Sequence, residues 1–362
     1  MSGEKMGYTP PDHMSPASRS VEIGPDVTGY STIKLLAKLT IAVMMKFWAM
    51  CTTVLLILLL MYWFYGGWLT LLLLIFALIG LLYNAQDMLL YYPDQPANSR
   101  LYVESPSIFG LPYENIFIKT SDGVKLHTVF IKQPEHKLNT AHTVIFFHGN
   151  AGNIGHRLVN MYALYSYCGV NILLVEYRGF GKSYGKPSES GIYLDAEAAA
   201  DYLFKRADID QSKIIVFGRS LGGAVSIQLS LRPYYAGRIS SLIVENTFTS
   251  LPEYPSRSCI SHIKIPTLFL SGLADDLIPP KMMLDLFQHS GSMLKRLAKF
   301  PNGSHNETWQ CQGYYETINR FLQEVEEMKR SNITPDSAVT YTVDIPFDDV
   351  TGTPIGGGVF AL

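Results

Sequence analysis

One serine, two aspartates and one histidine are ordered along this chain in a way that suits acyl transfer. Ser220 lies in Gly-Arg-Ser-Leu-Gly, residues 218–222, directly after the β-prone run from Lys213 to Phe217 and before a small-residue stretch with helical spacing. Gly218 and Gly222 remove the Cβ atoms that would crowd a sharp strand-to-helix corner, which lifts Oγ away from the sheet. The following helix would aim its free N–H groups, beginning with Leu221, at a developing oxyanion. The plainer alternative is a serine serving as an ordinary helix N-cap.

A serine hydroxyl needs a base to attack at neutral pH. Of nine histidines, His305 lies in a small polar loop, "FPNGSHNETW", between the last short strand and the last helix. His148 follows the strand 143–147, His156 opens a polar helix, and His262 and His289 sit in segments with no chemical signature. The acid should follow a strand between nucleophile and base. Asp275 and Asp276 both do so, just past the strand 267–271, although either could cap the helix beginning near Pro279. Glu245, after the strand 241–244, is a third candidate. A second oxyanion donor belongs in the loop after the strand 143–147, where "HGNAGN" offers the Asn150 N–H between two glycines. That loop could equally be a tight strand–helix turn. The Gly-rich stretch from Tyr177 to Glu189 contains G-x-G-K-S but lacks phosphate-loop spacing, and reads as a rim loop.

These residues need a sheet to gather them. "ENIFIKT" and "VKLHTVFIKQP" alternate about Ser121-Asp122-Gly123, a hairpin signal. Continuous apolar strands then alternate with amphipathic helices from "HTVIFFHGN" to "TWQCQGYYETINRFLQEVEEMKR". That pattern predicts an α/β domain over residues 113–330, its mostly parallel sheet covered by helices on both faces.

Residues 47–86 form a run of forty without Asp, Glu, Lys, Arg or His. A membrane span needs only ~20 residues, so residues 31–86 are expected to be a membrane anchor. One helix of forty residues would be ~60 Å long, twice the hydrocarbon thickness. The Gly66-Gly67 pair amid aromatics therefore allows either a hairpin of two spans or one span with an interfacial remainder. Lys34, Lys38 and Lys46 precede the run, which places the N-terminus in the cytosol. One span then puts the large domain in a lumen or outside the cell, and two return it to the cytosol. Asn302, Asn306 and Asn332 head N-x-[ST] tripeptides that would accept glycans on the lumenal side, two of them flanking His305. Residues 1–30 read as a disordered tail, 87–112 as a connector, and 331–362 as a flexible tail that includes a short strand at "AVTYTVDI". A net charge of −2 gives no reason to expect nucleic acid as a partner. Four cysteines, one of them inside the apolar run, do not read as a disulfide framework, although three remain and one bridge is open to them.

Residues 113–330 resemble the α/β-hydrolase family, through "FFHGNAGNIGHR", "VEYRGFGKSYGKPSE", "FGRSLGGA", "LSGLADDLIPP" and "GSHNETW". They look most like its membrane-anchored branch of depalmitoylase-like enzymes. The resemblance implies a catalytic triad of Ser220, Asp275 and His305, an α/β-hydrolase fold, and a single signal-anchor of type II topology. It implies a serine hydrolase acting on an ester or thioester of a lipid or S-acylated protein at the bilayer, without metal or organic cofactor. One feature departs from the family. Only twenty-one residues, Glu245 to Ile265, bridge two strands where a longer cap is usual. A reduced cap is therefore expected, with an open site or a perturbed crossover. A non-catalytic membrane adaptor built on the same scaffold is the alternative.

Overall fold

A computed structural model of the chain describes residues 29–250, 255–331 and 341–344. It divides into two compact units, one ending at Ala85 and one beginning at Gln86. In the first, helix α1 (Gly29–Tyr65) kinks at Phe47 and ends at Gly66, whose φ of 78° lies in the left-handed region. Helix α2 (Gly67–Leu90) follows. The helical run is thus interrupted at the first residue of the glycine pair. Among the described residues one helix is long and apolar enough to cross a membrane, Met45–Tyr65, with mean hydropathy 2.0. The apolar segment Gly67–Tyr83 is shorter.

The second unit holds the sheet. Its elements are β1 (Tyr113–Lys119), β2 (Lys125–Ile131), α3 (Glu135–Leu138), β3 (Thr143–Phe147), α4 (Leu158–Cys168), β4 (Asn171–Val175) and α5 (Glu189–Leu203). Then come β5 (Ile214–Arg219), α6 (Leu221–Leu231), α7 (Pro233–Ala236), β6 (Ser241–Glu245), α8 (Ser256–Ile260) and β7 (Thr267–Gly272). The last are α9 (Pro280–His289), β8 (Lys295–Phe300), α10 (Tyr314–Ser331) and β9 (Tyr341–Asp344). The strand order is β1-β2-β4-β3-β5-β6-β7-β8-β9. The β1–β2 and β2–β4 pairs are antiparallel and every later pair is parallel.

The continuous apolar strands have a direct physical meaning. Successive side chains leave opposite faces of a sheet, so strands covered on both sides must be apolar at every position. Ile145, Phe147, Val216, Val244 and Phe269 enter one core with residues of α5, α6, α8 and α9. Their neighbours Val144, Phe146, Ile215, Phe217, Ile243 and Leu268 enter a second core with α4 and α10. The predicted hairpin about Ser121-Asp122-Gly123 joins β1 to β2, with Lys119 opposite Lys125.

The strands on either side of the short β6–β7 crossover pair without a break. The two strands pair in parallel from Leu242–Thr267 to Glu245–Leu270. Among the described residues between them, the five-residue α8 is the only helix, and the parallel pairing of the sheet continues across this step. Pro252 of this segment lies outside the described residues. The last helix starts later than the periodicity suggests. Residues Thr308–Gln310 form a separate 3₁₀ turn, Gly313 takes a φ of 77°, and α10 begins at Tyr314.

Candidate active site

In a parallel sheet the carboxyl ends of the strands all open at one edge. Five such ends carry the candidate residues: His148–Asn153 after β3, Ser220 after β5, Asn246 and Thr247 after β6, Asp275 after β7, and His305 after β8.

Ser220 has φ 55° and ψ −118°, a conformation in which few L-residues are found. Such a residue costs of order 1–3 kcal/mol and persists only where its surroundings over-determine it. Here they do. The Ser220 N–H donates to the Glu245 carbonyl at 2.9 Å, and the Ser220 carbonyl accepts from the Gly223 N–H at 2.9 Å. That carbonyl also accepts from Thr247 Oγ1 at 2.6 Å. The flanking glycines are sterically required. A Cβ on Gly218 would lie 1.9 Å from the Gly222 carbonyl oxygen, and one on Gly222 would lie 2.0 Å from that of Phe147. Ser220 is no ordinary N-cap, since its side chain makes no capping hydrogen bond.

His305 Nδ1 lies 2.7 Å from Asp275 Oδ2. An ionised carboxylate only accepts, so Nδ1 carries the proton and Nε2 is left as the basic nitrogen. The other carboxylate oxygen of Asp275 accepts from the N–H groups of Leu277 at 3.0 Å and Ile278 at 2.8 Å. The carboxylate is thus held from both sides. Asp275 and His305 are buried, whereas Asp276 is exposed. Glu245 takes a different role. It is fully buried, 3.1 Å from Arg219 Nε, and accepts from the Tyr314 hydroxyl at 2.8 Å.

Two residues that the sequence reading passed over bring these parts together. Asn246, at φ 44°, donates through Nδ2 to the carbonyls of Ser304 and His305, each at 3.1 Å, and to Thr308 Oγ1 at 2.9 Å. Its Oδ1 accepts from the Gly272 N–H at 2.8 Å, at the end of β7. Thr247, the next residue, holds the Ser220 carbonyl. One short segment after β6 therefore ties the serine bend to the histidine loop and to the strand carrying the aspartate. Polar residues at the end of a buried strand were the available signal.

The loop after β3 closes the other side. Gly149 lies against the serine, since a Cβ built there would be 3.5 Å from Ser220 Cβ. Asn150 follows, and Leu221 heads α6, where its N–H has no intrahelical acceptor. The loop is clamped by residues of the connector. Asn150 Nδ2 donates to the Leu90 carbonyl, and Asn150 O accepts from the Tyr92 N–H at 3.3 Å. Asn153 Nδ2 donates to the carbonyls of Ser99 and Tyr102, both at 2.8 Å.

The remaining candidates sit elsewhere. His148 is buried 3.1 Å from Glu176, and burial lowers the pKa of His156, whose Nδ1 accepts from the Asn153 N–H. The Tyr177–Glu189 loop is pinned by Arg178, which donates to Asp195 at 2.8 Å and to Asp122 at 2.7 Å. Asn302 and Asn306 are exposed, and Asn332 lies outside the described residues.

Comparison with known proteins follows the same lines. A family profile described as alpha/beta hydrolase fold matches residues 142–257. The protein bem46 of Schizosaccharomyces pombe is 39% identical over 267 residues, 68% of this chain and 88% of its own length. WAV2, an alpha/beta hydrolase domain-containing protein of Arabidopsis thaliana, is 37% identical across 72% of this chain and 95% of its own. The chain belongs to the α/β-hydrolase family. An uncharacterised membrane protein of Saccharomyces cerevisiae is 33% identical, covering 68% of this chain and 92% of itself. Among solved structures, an esterase of Pyrococcus furiosus superposes with a TM-score of 0.52 at 21% identity, over 62% of this chain and 95% of the esterase. That likeness is one of fold.

Proposed function

We propose that this protein is a membrane-anchored serine hydrolase that cleaves an ester or thioester through Ser220, His305 and Asp275. The observation that carries this reading is the 2.7 Å bond between His305 Nδ1 and a doubly anchored Asp275, at the sheet edge where Ser220 occupies its strained bend.

In the proposed reaction His305 Nε2 takes the Ser220 proton as Oγ attacks the carbonyl carbon. The N–H groups of Asn150 and Leu221 receive the oxyanion. His305 passes the proton to the leaving alcohol or thiol, and an acyl-serine ester remains. Water, deprotonated by His305, releases the acid and returns the proton to Ser220. Asp275 holds the imidazole in the productive tautomer and stabilises it when protonated. No step calls for a metal or organic cofactor.

The apolar helix Met45–Tyr65 supports anchoring and so favours substrates at a bilayer, lipid esters or S-acylated proteins. The lysines before it favour a cytosolic N-terminus, with the catalytic unit lumenal or extracellular if the chain crosses once. Asn302 and Asn306 would then be open to glycosylation. If the chain crosses twice, the unit is cytosolic.

A fluorophosphonate probe tests the chemistry. It should label the wild type and leave Ser220→Ala unlabelled. Equal labelling of both would remove Ser220 from the mechanism, and labelling of neither would favour the adaptor reading. Labelling intact against permeabilised cells reports the side of the membrane.

A further inference from the structure

A cavity of about 550 Å³ opens at the edge of the sheet opposite Ser220. Its lining includes Ser212, Ser240, Pro266 and Met293, which lie just before the first residues of β5, β6, β7 and β8. Phe204, just past α5, and Met328, in the last turn of α10, belong to its walls. With Ile265 and Met293 they give it a partly apolar surface. None of Ser220, Asp275 or His305 lines it.

The charged part of the lining has one sign. Arg238, Lys264 and Lys329 all line the cavity, and among the described residues no Asp or Glu does. Arg238 is half-buried, its guanidinium carbon 3.9 Å from the ring centroid of Phe204 and 4.8 Å from that of Tyr234. These ring contacts hold the group in place without giving its N–H fork an acceptor. Among the described residues that guanidinium has neither a hydrogen-bond acceptor nor a carboxylate within ion-pair distance. The Lys329 ammonium donates to the Ser212 carbonyl at 2.7 Å and to Ser240 Oγ at 2.8 Å, which leaves one of its three donors free. Exposed Lys264 reaches only the Ser261 carbonyl, at 3.4 Å. Carboxylates near Lys329 are engaged elsewhere. Glu326 pairs with Lys213 at 2.8 Å and Arg330 at 3.0 Å, and Asp210 accepts from the Ser212 N–H and hydroxyl.

We propose that this cavity binds the anion of a long-chain fatty acid, with its carboxylate on Arg238 and its hydrocarbon against Phe204, Ile265, Met293 and Met328. The charge is complementary, since three cations face the ligand and no acid of the lining offsets them. A guanidinium fork with unclaimed donors matches the two oxygens of a carboxylate, and Lys264 and Lys329 add positive charge beside it. Apolar walls suit a chain rather than a small hydrated ion, and methionine side chains adapt to a flexible one. The volume falls within the ~300–1,000 Å³ usual for small-molecule sites. The site does not depend on Ser220 being a nucleophile.

The test uses the full chain in phosphatidylcholine nanodiscs and a photoreactive diazirine analogue of palmitate, with labelled peptides mapped by mass spectrometry. Saturable labelling should fall on peptides containing Met293 and Met328, in wild type and Ser220→Ala alike. Palmitate should compete, and the neutral hexadecanol should not. The apparent affinity should drop at least about tenfold in Arg238→Gln, which loses the charge-assisted bonds. Because Arg238 also packs on two rings, Lys264→Gln guards against simple misfolding. That exposed lysine can be replaced without disturbing a core, and its loss should weaken labelling by about two- to fivefold. No saturable labelling of these peptides, equal competition by hexadecanol, or undiminished affinity in both variants overturns the proposal. Stronger competition by hexadecyl phosphate than by palmitate overturns the choice of a carboxylate. Normal labelling of a protein that no fluorophosphonate modifies would sink the hydrolase reading and leave this one standing.

Discussion

Two adjacent aspartates have opposite environments. Asp275 is buried and bonded on both oxygens, whereas Asp276 is exposed. If Asp275 orients His305, Asp275→Asn leaves the fold intact but presents an amide where an acceptor is needed. Hydrolysis of a generic thioester should then fall about 10³–10⁴-fold, by analogy with other triads, while Asp276→Asn stays within about twofold. Equal losses in both would remove the distinction. Sequence spacing left these two residues open as acids, with Glu245 a third. Burial separates them, and the Arg219 and Tyr314 contacts explain Glu245 without a catalytic role.

The elements tell a related story about space. Gly222 lets α6 begin against the end of β3, and Gly218 lets β5 pass beneath that helix. Gly222→Ala would place a Cβ 2.0 Å from a backbone oxygen, a clash that no side-chain rotation relieves. It should cost about 3 kcal/mol or more in denaturant unfolding. The expected loss of activity comes with it, so stability and turnover should fall together. The clamp on the Asn150 loop acts differently. Asn153→Ala strips the Ser99 and Tyr102 carbonyls of their donor and removes the capping oxygen of His156. A destabilisation of about 1–3 kcal/mol is expected, and the turnover rate should fall further than the fraction of folded protein accounts for. A rate that tracks folding alone would mean the clamp has no role in positioning the loop. The glycine requirement was readable in the pentapeptide. The clamp was not, because its partners lie 51 to 60 residues away.

For the molecule as a whole, membrane attachment and acid stability can be measured directly. The full chain should remain with membranes after alkaline carbonate extraction, as a helix with the hydropathy of Met45–Tyr65 implies. Release into the supernatant would reject an integral anchor. His142, largely withdrawn from solvent, has its pKa lowered to about 4, by burial first and in spite of Glu326. An unfolded histidine titrates near 6.5, so between about pH 6.5 and 4 the unfolded state binds the extra proton. Stability therefore falls as the pH drops through that window, and His142→Gln should flatten the slope of melting temperature against pH there. The amino-acid sequence alone determined the apolar run of residues 47–86, the alternation of strands and helices, and the sharp bend at Ser220. Each of these rests on local periodicity or on the absence of a Cβ. Only the tertiary structure decided which carboxylate meets His305, and that Asn246 and Thr247 join the serine and histidine loops. Those facts depend on side chains far apart in the chain arriving at one sheet edge. No local pattern records burial or the distance between such groups.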